Sequence, residues 1–286
     1  MKNIGFIVIL FLNFDSYSQV FDTIQKNKPK IYPKSQLKVV KQLQSKDDIN
    51  ELNYKAATDF SNKASELLHD NDPYNALESI NKALNLFPDD YIFNWVKAKI
   101  TYQLEDYVTA IKCISVSIDK GKGIWSDLEK FYYLRAVYYS KLGKYSNVLL
   151  DLNKSIEIKE SADVIFFRAQ IKEDNLKDLR GANEDYNLAI KLFPEFITSD
   201  EESKNKLDNL WDFAIAYEKI GLYSKAEKQY IEAIKINNLD YNRLFILGGF
   251  YETKMHNKAK ACYYYNQSCK LDPDPKCKDI VDRFCN

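Results

Sequence analysis

Ala214-Ile215-Ala216-Tyr217-Glu218-Lys219-Ile220-Gly221-Leu222-Tyr223-Ser224-Lys225-Ala226 is the stretch that decides the fold. Two small residues about twelve apart flank a Gly-x-Tyr turn. The same pairing returns along the chain: Ala64 with Ala76, Ala98 with Ala110, Ala136 with Val148, Ala169 with Ala182, and Gly248 with Ala261. A small residue at a fixed place in each of two helices lets the helices approach closely. The pairs recur about every 34 residues, the period of stacked helix–turn–helix units.

Each pair carries companions at constant offsets. Four residues after the second small residue stands a large one: Ile80, Ile114, Leu152, Tyr186, Tyr230 and Tyr265. Three further on the chain is small again, at Ala83, Ser117, Ser155, Ala189, Ala233 and Ser268. Offsets of four and seven lie on one helical face, so the second helix of each unit has a narrow packing seam. Pro88, Pro194 and Pro273 stand where that helix is expected to stop, because proline lacks the N–H that would continue it. The turn Leu142-Gly143-Lys144-Tyr145 matches Ile220-Gly221-Leu222-Tyr223, and Leu104-Glu105-Asp106-Tyr107 is a variant.

These residues closely resemble the tetratricopeptide repeat (TPR) family. Its repeat has a small residue in each helix, a Gly-x-Tyr turn and a terminal proline. The resemblance implies an all-α, right-handed superhelical solenoid of about six repeats, at 57–90, 91–124, 129–162, 162–195, 207–240 and 241–274, with a capping helix at 275–286. The solenoid proper spans 54–274. Asn94 departs from the pattern, at a place where the family has a large apolar residue. Lys122, Glu160 and Asn238 replace the proline, and repeats four and six have one extra residue in the turn. Gly121-Lys122-Gly123-Ile124 separates repeats two and three. Residues 196–206, with Asp200-Glu201-Glu202, read as an exposed acidic spacer loop between repeats four and five.

The 41 basic and 41 acidic residues cancel. That argues against general nucleic-acid binding, which needs a phosphate-neutralising excess. Lys2 followed by the apolar run Ile4–Leu12 has the dimensions of a signal-peptide core, and Ser16 and Ser18 suit cleavage before Gln19. Residues 1–18 are therefore expected to be an export signal, and 19–53, with Pro29, Pro33 and many lysines, a linker or mobile arm. Within it, 34–50 has a weakly amphipathic helical pattern. No other stretch is long and apolar enough to span a membrane, so the mature chain is expected to be periplasmic or secreted.

Four of five cysteines crowd the last 25 residues. An exported chain meets an oxidising compartment, which favours disulfides. The spacing of Cys269 and Cys277 around Asp272-Pro273-Asp274-Pro275 resembles the helix-linking bridges of cysteine-rich TPR-like secreted proteins. Cys262 and Cys285 would then bridge the same two helices nearer their far ends. Zinc is the rival reading, but the spacings are wide for a tetrahedral site. Cys113 reads as a small buried hydrophobe.

No P-loop, Gly-x-Ser-x-Gly or His-Glu-x-x-His pattern occurs, and the two histidines, His69 and His256, fall in turns of different repeats. The reading is therefore of a chain that is not an enzyme and has no cofactor. The resemblance implies a partner groove lined by the first helix of each repeat. The residue three before that helix's small residue is Ser61, then Trp95, Tyr133, Phe166, Trp211 and Phe245. These five aromatics either form a ladder in the groove, suited to a protein or peptide partner, or pack between the helices. Asn94 favours packing for Trp95. Arg135 and Arg168, one residue before the small residue, would meet acidic groups of a partner or of the neighbouring helices. The lysine–asparagine–arginine clamp that some TPR domains use for a carboxyl terminus is not reproduced: Ser61 and Ser65 stand in its place. The expected function is a non-catalytic scaffold. A glycan or small-molecule receptor using the ladder and a subunit of an envelope machine are the alternatives.

Overall fold

The computed structural model describes residues 46–123, 128–199, 203–273 and 275–285. The export signal expected at 1–18 and the arm up to residue 45 lie outside these residues. So do Ile124 of the first insertion and Asp200, Glu201 and Glu202 of the second. Leu52–Asn286 forms one compact unit. Its described residues are helical, with no strand among them.

The helices pair into hairpins in chain order. They are α1 (Lys46–His69) with α2 (Pro73–Leu86), α3 (Tyr91–Gln103) with α4 (Tyr107–Gly121), and α5 (Leu128–Lys141) with α6 (Tyr145–Ile158). Then follow α7 (Ala162–Gln170) with α8 (Leu179–Ser199), α9 (Ser203–Lys219) with α10 (Tyr223–Ile236), and α11 (Tyr241–Thr253) with α12 (Lys258–Leu271). A short α13 (Pro275–Ile280) and one π-helical turn (Val281–Cys285) close the stack. The odd-numbered helices α1 to α11 are called A helices below and their partners B helices. From α4 on, each B helix packs on its own A helix, and those from α2 to α10 pack also on the A helix that follows.

The small-residue seams are the packing surface. All eleven alanines and valines of the repeating pairs are buried, and so is Gly248. A serine in the later seam position adds a bond across the hairpin. Ser117 donates to the Tyr91 carbonyl at 2.8 Å, Ser155 to that of Glu129 at 2.9 Å and Ser268 to that of Tyr241 at 2.8 Å. Each bond satisfies the buried hydroxyl and ties the B helix to the start of its own A helix. Aspartate or asparagine caps recur at the helix starts: Asp72, Asp90, Asp106, Asp240 and Asn257 accept backbone N–H groups of the first turn.

All six hairpin turns contain a left-handed residue at the same place. Gly143 and Gly221 fill it in two repeats, and Asn71, Glu105, Lys177 and His256 fill it in the others. His256 therefore owes its position to backbone geometry. The extra residue of repeat four is absorbed as a π-helical turn, Ile171–Asn175, that continues α7.

Two expectations are corrected. Pro194 does not end its helix: α8 continues through it to Ser199. Phe193 is fully buried between Phe166 and Phe213, with ring centroids at 6.0 and 5.2 Å, and this packing holds the helix across the lost hydrogen bond. The spacer at 196–206 is helical at both ends, since 196–199 belong to α8 and 203–206 to α9. Elsewhere proline behaves as expected, with α2 ending before Pro88 and α12 before Pro273. Where proline is missing, α6 and α10 still end, at Lys159 and Asn237, in extended backbone.

Candidate docking face and carboxyl-terminal cap

The aromatic ladder lies inside. Trp95 and Phe166 are 2% exposed, and Tyr133 and Trp211 are 6% exposed. Phe245 is partly buried, with its ring 5.1 Å from that of Tyr265. The rings pack on neighbouring helices: Trp95 on Phe131, Tyr133 on Phe167, Phe166 on Tyr186, and Trp211 on Tyr230. The orientation expected for a groove ladder is thus corrected for these four: Trp95 and Tyr133 pack against the next repeat, and Phe166 and Trp211 against the B helix of their own. They offer no stacking platform for a sugar. Asn94 explains the local arrangement at Trp95. Its side-chain amide donates to the carbonyls of Pro88 and Asp90, both at 2.8 Å, and so fastens the connection between repeats one and two.

Arg135 and Arg168 are engaged within the fold. Arg135 makes a two-pronged pair with Asp151 of its own B helix, both contacts at 2.8 Å, and donates to Ser115 of the preceding repeat at 3.0 Å. Arg168 pairs with Asp185 in the same way, at 2.8 and 2.6 Å, and donates to Asn153 at 2.7 Å. Each arginine therefore ties three helices together.

A second polar device was missed in the sequence. In repeats four to six, the tyrosine four after the B-helix alanine donates to a glutamate four after the A-helix small residue. The pairs are Tyr186 to Glu173, Tyr230 to Glu218 and Tyr265 to Glu252, at 2.7, 2.8 and 2.6 Å. Repeats one to three have Ile80, Ile114 and Leu152 in place of the tyrosine, and no glutamate at the matching A-helix position. That co-occurrence was the available signal. Burial and the nearby carboxylates raise the pKa of all three phenols, so they remain donors at any ordinary pH.

At the A-helix positions two before and one after the small residue, Val96, Leu134, Val137 and Phe167 are buried, whereas Lys99, Asp212 and Ile246 keep some access to solvent. Ile246 is 47% exposed. Lys99 lies over the Trp95 ring at 5.2 Å, is partly buried and has no ion pair among the described residues. Asp212 is partly buried, with no hydrogen bond or ion pair among them. Burial first, then Asp208 and Asp163, push its carboxyl up to about 8, against the pull of Arg243. Arg243 itself lies over Trp211 at 5.4 Å and pairs with Asp208. The buried rings of Trp95 and Trp211 thus lie beneath the cations of Lys99 and Arg243.

At the carboxyl end, Cys262 joins Cys285 and Cys269 joins Cys277, with Cα separations of 5.5 and 5.6 Å. Both bridges fasten the cap to α12. Ile280, Val281 and Phe284 of the cap pack on the core of repeats five and six. Cys113 is a free, buried thiol whose pKa burial raises. Among the described residues no group of histidines, cysteines and carboxylates has the arrangement to hold a metal ion, and no helix is long and apolar enough to cross a membrane.

No family model matches the chain. The TPR repeat-containing protein MJ1428 of Methanocaldococcus jannaschii is 27% identical over 187 residues, covering 63% of this chain and 31% of that protein. A chain of the crystallised Cut9–Hcn1 hetero-tetramer of the APC/C overlays with a TM-score of 0.65 at 14% identity, over 84% of this chain and 45% of its own length. PilF of Pseudomonas aeruginosa overlays with a TM-score of 0.60 at 12% identity, over 80% of this chain and 98% of its own. The chain spans about a third of the curated relative and under half of the Cut9–Hcn1 chain. At such identities the overlays speak for the fold alone. Seams, turns and overlays agree that this chain is a TPR-like repeat solenoid, closed at its carboxyl end by two cysteine pairs.

Proposed function

We propose that the chain is a non-catalytic scaffold that docks a protein or peptide partner on the face formed by its A helices, in the periplasm or outside the cell. The observation that carries this reading is the division of labour among the polar groups. Arginines, seam serines and tyrosine–glutamate pairs are consumed in holding repeats together, whereas Lys99, Asp212 and Ile246 are left accessible on the A helices. Two bonded cysteine pairs suit an oxidising compartment. The solved relative from the Cut9–Hcn1 complex is itself part of an assembly, which supports a scaffold reading by analogy.

The test is recovery of partners with two charge insertions. Ile246→Arg changes the A-helix face, and Leu150→Arg changes the B-helix surface, where Leu150 is 65% exposed. Loss of partner with Ile246→Arg and retention with Leu150→Arg is the expected result. The reverse pattern, with both variants folded, overturns the reading.

A further inference from the structure

The cap has the register of a seventh A helix. Asp282 lies one repeat length after Gly248, at the place of the A-helix small residue. Val281 and Phe284 then stand one before and two after it, as Leu247 and Phe250 do in repeat six. They also pack alike: Phe284 meets the Tyr265 ring edge-on at 6.3 Å, and Phe250 meets that of Tyr230 at 5.1 Å. A full A helix is gripped by the B helix before it and by its own. Among the described residues the cap packs on α12 without a B helix of its own, and it is too short to stay helical alone. Two bridges to α12 supply the missing grip.

The two bridges differ in access. Cys262 and Cys285 are both partly exposed. In the other bridge Cys277 is 5% exposed, and its sulfur lies 3.8 Å from the carbonyl oxygen of the buried Tyr265. Lys258, one turn before Cys262, holds its ammonium 5.7 Å over the ring of Phe284, the neighbour of Cys285. A cation beside a bridge steadies the thiolate that departs when the bridge is attacked. We propose that Cys262–Cys285 is a thiol–disulfide exchange site for a dithiol, and that opening it releases the end of the cap. One thiolate of the dithiol attacks a bridge sulfur, and the other sulfur departs as a thiolate. The second thiol of the dithiol then attacks the mixed disulfide. The dithiol leaves as a disulfide, and its two electrons and two protons end on Cys262 and Cys285. The Cys269–Cys277 bridge keeps the start of the cap on α12. Val281 and Phe284 therefore swing off the core about a fixed hinge, and they close again on oxidation.

The probe is dithiothreitol, added in limiting amount to the intact oxidised protein. Free thiols are trapped with N-ethylmaleimide and located by peptide mass spectrometry. Among molecules with one bridge opened, label at Cys262 and Cys285 is expected roughly tenfold more often than at Cys269 and Cys277. In that fraction hydrogen exchange is expected to rise about tenfold over 279–285, with α3 to α6 unchanged. In Cys262→Ser with Cys285→Ser, the remaining bridge is expected to open about tenfold faster than in the parent, because Cys277 has lost its cover. Equal labelling of the two pairs, an excess at Cys269 and Cys277, or a cap that stays protected after Cys262–Cys285 opens overturns the proposal. So does an unchanged rate in the variant. The labelling order is read on the parent protein, so it stands even if the variant does not fold.

Discussion

Burial first, then Asp208 on its own helix and Asp163 on α7, push the Asp212 carboxyl up to about 8 against the pull of Arg243 on α11. A carboxyl whose folded pKa is raised contributes most to stability below its unfolded pKa, and that contribution is lost as pH rises through the folded value. Stability should therefore decline between about pH 4 and pH 8 through this group. Asp212→Asn should remove the decline, matching the parent near pH 3 and exceeding it at pH 8.5 in urea titrations. Equal slopes in the two proteins would show that Asp212 ionises freely. Glu105 is a second single-residue case, held at φ 61° in the turn between α3 and α4. Glu105→Gly should stabilise by about 1 kcal/mol, since glycine adopts that conformation without a Cβ penalty. An unchanged or lowered melting midpoint would contradict this. The ladder shows what single residues conceal. The sequence places Trp95, Tyr133, Phe166 and Trp211 at one register, but neighbouring register positions differ by only about 100° on a helix. Whether a ring at such a position faces in or out depends on how closely the next repeat packs, and that is a property of the stack.

At the scale of helices and hairpins, Gly248 marks where alanine no longer fits. A Cβ there would lie 2.6 Å from the Tyr265 ring, which the Glu252 bond holds in place. Gly248→Ala should cost about 1–3 kcal/mol as an overpacked core change, measured by denaturant unfolding. A neutral result would mean that the ring shifts freely. Tyr230→Phe removes the bond to Glu218 and should cost about 1 kcal/mol, less than for a fully dry acceptor because Glu218 keeps some solvent contact. The hairpins were legible because alanine, the Gly-x-Tyr turn and the seam offsets each report a local constraint. Pro194 misled because a proline's local preference gave way to tertiary packing around Phe193. The tyrosine–glutamate pairs went unread because they join positions on two helices, visible only when repeats are compared residue by residue.

At the scale of the whole solenoid, stability is a sum of neighbour contacts, so the last repeat depends on its cap. Removing the bridge between Cys262 and Cys285, by Cys262→Ser with Cys285→Ser, should cost roughly 2–4 kcal/mol. Hydrogen exchange should rise first in α12 and the cap, with α3 to α6 unchanged. Uniform acceleration would show that the cap stabilises the rest equally. The cap was legible from the cysteine spacing, whereas the docking face was not, since it emerges from what the internal bonds leave unused. The most direct measurement of the central claim is site-specific photo-crosslinking in the native cell, with the probe at Ile246 on α11 or at Leu150 on α6. Partner adducts from position 246 and none from position 150 are predicted. Adducts from position 150 alone would contradict the assignment of docking to the A helices.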